Sequence, residues 1–299
     1  MTDLETARGR QATLLLILGA GCISFAPIFV KLIDPHGLGP TAIGFWRTLF
    51  GAIVLFGWSM VARRPLLISR ASLRYAALAG FFFSLDLAFW HRSILYTGAG
   101  MATILGNTQV FATSVFAWLI FKERLSVRSV IAAVVAIGGV SLLVGVWSRE
   151  ITFSPQYLVG VGLGLATGIW YACFILSLKA AAQLEKPSDP VSFMAWASLF
   201  TAAFMGVGSM FESHPAVPPD VMTFVWLIGV AVVAQAVGWR VISGTLSHVR
   251  ASHAALILLL QPTLATLWGI WLFGESLTVL QGIGAAITLG AIYYGSLRK

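Results

Sequence analysis

Apolar residues run along this chain in long blocks, and the polar residues collect between them. Ten such blocks can be read, at about 11–32, 41–62, 74–96, 99–121, 127–146, 158–180, 190–211, 221–243, 250–273 and 277–297. Each is near the roughly 20 residues that a helix needs to cross a hydrocarbon core. No alternating strand pattern of the kind a barrel needs is visible, so helices are the expected element. The breaks carry turn chemistry: Asp34-Pro35-His36-Gly37, Arg63-Arg64-Pro65, Glu185 to Pro190 and the three prolines between His214 and Asp220. The links near 97, 124, 249 and 275 are very short, which makes the blocks they join antiparallel neighbours.

Composition sharpens this picture. Of the 299 residues 58% are hydrophobic and only 10% charged, against about 25% charged in soluble domains. Mean hydropathy is +0.89. The polar N-terminal stretch Met1 to Arg10 lacks a small-residue cleavage site, so the first block is expected to remain as a helix. The net charge of +8 reads as loop charge that sets orientation, with no nucleic-acid partner implied. One face collects Arg8, Arg10, Arg63, Arg64, Arg70, Arg74, Lys122, Arg124, Arg128, Lys179, Lys186, Arg250, Arg298 and Lys299. The other has Lys31, Arg92 and Arg149, while Arg47 and Arg240 fall inside blocks. The rich face is expected to be cytoplasmic, with both termini on it.

The chain also resembles itself. A shift of 152 carries Gln109, Phe121, Glu123, Leu125, Val127, Ile131, Ala133 and Gly138 onto Gln261, Phe273, Glu275, Leu277, Val279, Ile283, Ala285 and Gly290. A shift of 149 carries Leu78, Gly80 and Trp90 onto Leu227, Gly229 and Trp239, with Asp86 on Gln235 and His91 on Arg240. A shift of 148 carries Lys31 onto Lys179. Two five-helix halves, 1–150 and 151–299, are therefore expected. Five is odd, so the halves lie in opposite orientations, as in many secondary transporters.

Ten spans, the inverted five-plus-five repeat and a Glu-bearing turn in each half resemble the EamA-type branch of the drug/metabolite transporter superfamily. The stretches that carry the likeness are Asn107-Thr-Gln-Val-Phe through Phe121-Lys-Glu-Arg-Leu, and Leu259-Leu-Gln-Pro-Thr through Phe273-Gly-Glu-Ser-Leu. Within the branch the chain looks most like bacterial YddG-type exporters of aromatic and other amino acids. The resemblance implies a multi-pass protein of the bacterial cytoplasmic (inner) membrane that exports a small metabolite by alternating access, as a monomer or homodimer. Proton-coupled efflux of drugs or other metabolites is the alternative within transport.

The rare polar residues inside the blocks are the candidate site. Asp86 lies 12 residues past Arg74, about 18 Å along a helix at roughly 1.5 Å per residue. A charge at that depth marks a functional position by default. It fits contact with a substrate amine, a proton site shared with His91, or a bond that locks two helices. Phe82, Phe83, Asp86 and Trp90 share one helical stripe, and the repeat adds Gln235 and Trp239. Trp170 and Tyr171 of the sixth block, and the amides Asn107, Gln109 and Gln261, complete the substrate-binding candidates. Such a set offers aromatic surface with few polar anchors. Trp58, Trp147 and Trp226 sit near block ends, as interfacial residues do. Arg47 and Lys31 are expected to snorkel outward, or Arg47 to take part in an outer gate. Glu123 and Glu275 read as structural caps of short turns. Pro27 and Pro262 free carbonyls that serve as kinks, hinges or ligand contacts. No phosphate-binding loop and no His/Cys cluster occurs, so neither a cofactor nor a metal is expected, and a membrane-embedded enzyme is a remote alternative.

Overall fold

A computed structural model describes residues 3–33, 37–97, 99–123, 126–143, 154–212, 215–274 and 278–296. Among these the regular elements are helical and there is no strand, as lipid demands of a backbone that it cannot hydrogen-bond. Eight helical stretches are at least 18 residues long and apolar enough to cross a membrane, and the apolar helices Val127–Leu142 and Val279–Gly295 are shorter. The difference from ten is one of length. Helix α7, Val127–Leu143, has 17 residues, about 26 Å at roughly 1.5 Å per residue, just short of a core of about 30 Å.

Several of the expected spans are interrupted. The first consists of α1 (Asp3–Ile23) and α2 (Ala26–Ile33), broken at Ser24 and Phe25. Pro27, in the first turn of α2, has no N–H to continue the ladder. The helices α3 (Pro40–Val61) and α4 (Arg70–Thr97) are continuous. The fourth span consists of α5 (Ala99–Asn107) and α6 (Gln109–Phe121), parted at Thr108. There the backbone N–H of Thr108 donates to Leu105 at 3.1 Å, and its hydroxyl donates to the same carbonyl at 2.5 Å. A side chain that competes for a helical carbonyl bends the helix. The helices α8 (Pro155–Ala182) and α9 (Pro190–Ser209) follow.

The eighth span starts as α10 (Val221–Val230), passes through a π-helical stretch at Ala231–Gly238 and ends as α11 (Trp239–Thr245) with a 3-10 turn, Leu246–His248. The ninth is α12 (Ala251–Leu258) and α13 (Leu260–Phe273), and α14 is Val279–Ser296. The break at Leu259 matches the one at Thr108: its N–H donates three residues back, to Leu256 at 3.2 Å, and its φ and ψ of −64° and −9° compare with −60° and −11°. Pro262 accounts for it, since its ring cannot sit against the carbonyl four residues earlier. The ends of α6 and α13 match as well. Lys122 and Gly274 both adopt the left-handed conformation, with φ of 54° and 65°, and their N–H groups donate to Ala117 and Ile270.

The chain divides into two compact units, each drawing on both halves of the sequence. One consists of Met1–Ala88 with Phe174–Val249, the other of Phe89–Cys173 with Arg250–Lys299. In the first, α3 packs along α9. Both start with proline at the first helical position, and a shift of 150 carries Pro40, Trp46, Leu49, Phe50 and Ala52 onto Pro190, Trp196, Leu199, Phe200 and Ala202. The straps that tie the pair obey the same shift. Trp46 Nε1 donates to the Ala216 carbonyl at 2.8 Å, and Trp196 Nε1 donates to the Leu66 carbonyl at 3.0 Å. The start of each helix is thus sewn to the segment that follows the other, which makes the two antiparallel. Further stitches are Gly39 to Pro215 at 3.0 Å, Thr41 to Glu212, Ser192 to Pro65 and the ion pair of Arg64 with Asp189.

In the second unit α7 packs along α14 and α6 against α12. The turn after α6 caps α12: both carboxylate oxygens of Glu123 accept the Ala251 N–H at 3.1 Å. That agrees with the structural reading of Glu123. Glu275, read in the same way, lies outside the described residues, as do Trp147 and Arg149.

Candidate functional site

The candidates fall into two groups, one on each unit. On the first, α4 carries Phe83 and, one turn on, Asp86. Phe83 is 2% exposed. Its ring stacks on Phe174 with centroids 4.4 Å apart and meets Trp239 edge-on at 5.5 Å. Phe174 and Trp239 close the triangle at 4.7 Å. This is a packed aromatic knot, held by three helices.

Asp86 is 8% exposed. Beside it is a residue that the sequence reading placed elsewhere. Arg47 does not snorkel: it is 4% exposed, and its guanidinium lies over Phe83, 5.8 Å from the ring centroid. Its Nη2 donates to Gln235 Oε1 at 3.4 Å. Small neighbours permit this inward course: Gly51, one turn further along α3, leaves room for the Gln235 side chain, which would lie 2.5 Å from a Cβ there. Lys31, by contrast, is exposed as expected.

Gln235 sits inside the π-helical stretch and is 1% exposed. Its Nε2 donates to Ser198 Oγ at 3.0 Å, so both ends of its amide are bonded within the unit. That geometry gives Gln235 a joining role among α3, α9 and its own helix. Wide π-turns occur often at functional sites, and this one carries the amide that meets Arg47.

On the second unit, α8 approaches the break between α5 and α6 through glycines. A Cβ at Gly168 would lie 2.7 Å from Thr108 Oγ1 and 3.0 Å from the Gln109 nitrogen, and one at Gly164 would lie 2.7 Å from Leu105 Cβ. Only a glycine face lets the two backbones come so near. Gln109 is fully buried; its Nε2 donates to the Ala255 carbonyl at 3.1 Å, and its Oε1 accepts from Thr113 at 3.0 Å. Its amide, too, is used in holding helices together. Gln261 is half-buried and donates to the Tyr171 hydroxyl at 3.0 Å. Trp170 is half-buried and meets Phe89 edge-on at 6.3 Å. Trp90 and Asn107 are half-buried, while His91 is 6% exposed with its ring 5.2 Å from that of Trp90.

The arrangement is one of a buried guanidinium, a buried carboxyl group and aromatic rings on apolar helices. Among the described residues no group of three or more His, Cys, Asp or Glu could hold a metal. The EamA-like transporter family matches residues 10–145 and again 158–296. The chain belongs to that family. The double match gives its two repeats, and the family is one of membrane transporters, not enzymes. A protein of Archaeoglobus fulgidus named "Uncharacterized transporter" is 26% identical over 286 residues, covering 95% of each chain. A protein of Escherichia coli (strain K12) named "Probable amino-acid metabolite efflux pump" is 26% identical over 288 residues, covering 93% of this chain and 92% of its own. A solved crystal structure shares the fold with a TM-score of 0.83 over 96% of both chains, at 15% identity.

Sequence reasoning gave Arg47 a snorkelling or outer-gate place and missed its position between Phe83 and Gln235. It is the seventh residue of its block, close enough to the end for a long side chain to reach out. Nothing in the spacing of one helix could reveal that Phe83 and Gln235, from two others, would hold it in.

Proposed function

We propose that this protein is a secondary transporter that exports amino acids, aromatic ones among them, from the cytoplasm by alternating access. The observation that carries the reading is a buried acidic group, Asp86, on an apolar helix of an EamA-family chain. A charge at membrane depth is costly, by about 2.5–3.5 kcal/mol on insertion scales. It is retained where a ligand or an ion needs it. The Escherichia coli relative named for amino-acid metabolite efflux supports the substrate class.

In this reading the chain crosses the bacterial inner membrane ten times, α7 and α14 included, with both termini cytoplasmic. The halves 1–150 and 151–299 are inverted repeats. The basic residues of the connecting segments support that orientation, and the shift of 150 shared by the two tryptophan straps supports the inversion. Asp86 takes the substrate amine. In the second unit Trp90, Asn107, Trp170, Tyr171 and Gln261, which are half-buried, are the substrate-binding candidates. Phe83, Trp239 and Gln235 hold the helices of the first unit together, and Gln109 holds those of the second. The test is efflux and uptake of labelled amino acids by proteoliposomes, across a panel that includes phenylalanine. Substrate-dependent flux above empty vesicles is expected, and its absence across the panel would refute the reading.

A second reading, proton-coupled efflux of drugs or other metabolites, draws on the burial of Asp86 and His91. It expects Asp86→Asn to abolish the pH dependence of flux. An unchanged pH profile in that variant removes it.

A further inference from the structure

Arg47 is a buried cation on a 22-residue apolar helix, and it shares the Phe83 ring with a buried carboxyl group: its guanidinium lies 5.8 Å from the ring centroid, and Asp86 stands one turn beyond Phe83 on α4. A helix lock needs no such pair: Gln235 and Ser198, alongside, join two helices with neutral groups at 3.0 Å. A cation set over an aromatic ring and next to an amide, with an ionisable carboxyl group one turn from that ring, does something that neutral groups cannot. Together they set the charge balance of a ligand held by both, the carboxyl group giving up its proton to face a cation. A ligand with a single net charge would satisfy one and leave the other buried without compensation, which is the expensive case. A zwitterion can enter head to tail, carboxylate to guanidinium and ammonium to carboxylate, and keep every charge paired. The guanidinium suits this task, since its planar fork of donors matches a carboxylate. Its bond to Gln235, at 3.4 Å, is long and easily exchanged for a better acceptor.

We propose that Arg47 is a specificity-determining residue that binds the carboxylate of the substrate, so that Arg47 and Asp86 together select zwitterionic α-amino acids over amines and over plain acids. This rests on the amino-acid export reading above and narrows it. Gln235 and Phe83 are positioning residues here: one holds the fork, the other carries its flat face.

The experiment measures competition against labelled phenylalanine in proteoliposomes by two analogues with the same ring: phenethylamine, which lacks the carboxylate, and 3-phenylpropionate, which lacks the ammonium. In the unaltered protein unlabelled phenylalanine competes better than either by at least about tenfold, the ratio worth 1.4 kcal/mol. In Arg47→Gln that advantage over phenethylamine collapses by about tenfold or more. In Asp86→Asn the advantage over 3-phenylpropionate collapses instead. Arg47→Lys keeps the order with weaker binding. These ratios do not depend on how much protein is active, so a helix-packing role, which lowers all three ligands together, is told apart. If Arg47→Gln does not fold, Asp86→Asn and Arg47→Lys carry the same comparison. Phenylalanine flux with preferences unmoved in the variants overturns the head-group assignment alone. An unaltered protein that moves no amino acid overturns the export reading, and this assignment with it.

Discussion

Helix α12 begins without a cap of its own, and this exposes it to a single substitution. The residue before it, Arg250, has extended backbone angles but no side-chain oxygen for the first free N–H groups. Glu123, which is 128 residues away, supplies it: both carboxylate oxygens accept the Ala251 N–H at 3.1 Å. Loss of a capping oxygen costs about 1 kcal/mol, with a range of roughly 0.5–2. Loss of a negative charge at a helix N-terminus adds about 0.3–1 kcal/mol. Glu123→Ala should therefore destabilise the protein by about 1–2 kcal/mol, and Glu123→Gln, which keeps one acceptor and loses the charge, by about half as much. The ion pair with Arg250 adds little, because Nε is 3.9 Å away and that side chain is 48% exposed. A solvent-screened pair of this kind contributes at most about 0.5 kcal/mol. Unfolding by a denaturing detergent in mixed micelles, followed through tryptophan fluorescence, measures these differences. A Glu123→Ala protein as stable as the parent, or an Arg250→Ala loss as large as that of Glu123→Ala, would refute the capping argument.

Three further outcomes follow from the packing. A Cβ at Gly139 would lie 2.8 Å from the Gly284 oxygen and the Thr288 nitrogen, both backbone atoms, so Gly139→Ala must push α7 from α14 and should cost about 1–3 kcal/mol in the same unfolding assay. Lys122, at φ 54°, adopts a conformation that costs a side-chain-bearing residue about 1–2 kcal/mol. Lys122→Gly should then raise stability slightly, by about 0.5–1 kcal/mol after glycine's own entropy cost, and a decrease would count against the left-handed cap. Finally, in a chain with Cys22 and Cys173 replaced by serine, single cysteines at Leu66 and Ala216 should react with an impermeant thiol reagent from opposite faces of a vesicle. Labelling from the same face would rule out inverted halves.

Helices and repeats were legible in the sequence because lipid leaves few ways to be wrong. Apolar blocks of spanning length can only be helices, and the scarce Glu123 stands out in its turn. The tryptophan straps were not read, although Trp46 and Trp196 each stand six residues past a proline, because the bonds to Leu66 and Ala216 join segments 130 and 170 residues apart. What eluded sequence reasoning depends on bonds that local rules do not contain. The bend at Thr108 needs no proline, only a hydroxyl that turns back on Leu105. The π-helical stretch around Gln235 has no composition of its own. Gln109 and Gln235 looked like ligand groups because they are polar and deep, but helices had already claimed both ends of each amide. Depth alone does not tell a binding residue from a joining one.

The repeat makes one last demand, at a place that the description of the structure does not reach. Glu275 stands 152 residues beyond Glu123, and Ala251, the first residue of α12, stands 152 beyond Ala99, the first residue of α5. Where the two halves can be compared near this turn they agree closely: the left-handed ends at Lys122 and Gly274, and the three-residue breaks at Thr108 and Leu259. Symmetry at so many neighbouring points implies that the glutamates have equal work. Glu275→Ala should then cost about as much as Glu123→Ala, about 1–2 kcal/mol. Two acids that work independently should give a double variant that loses the sum of the two to within about 0.5 kcal/mol. A neutral Glu275→Ala would mean that the resemblance of the two turns is one of sequence alone, and that only the first half uses its acid to start a helix.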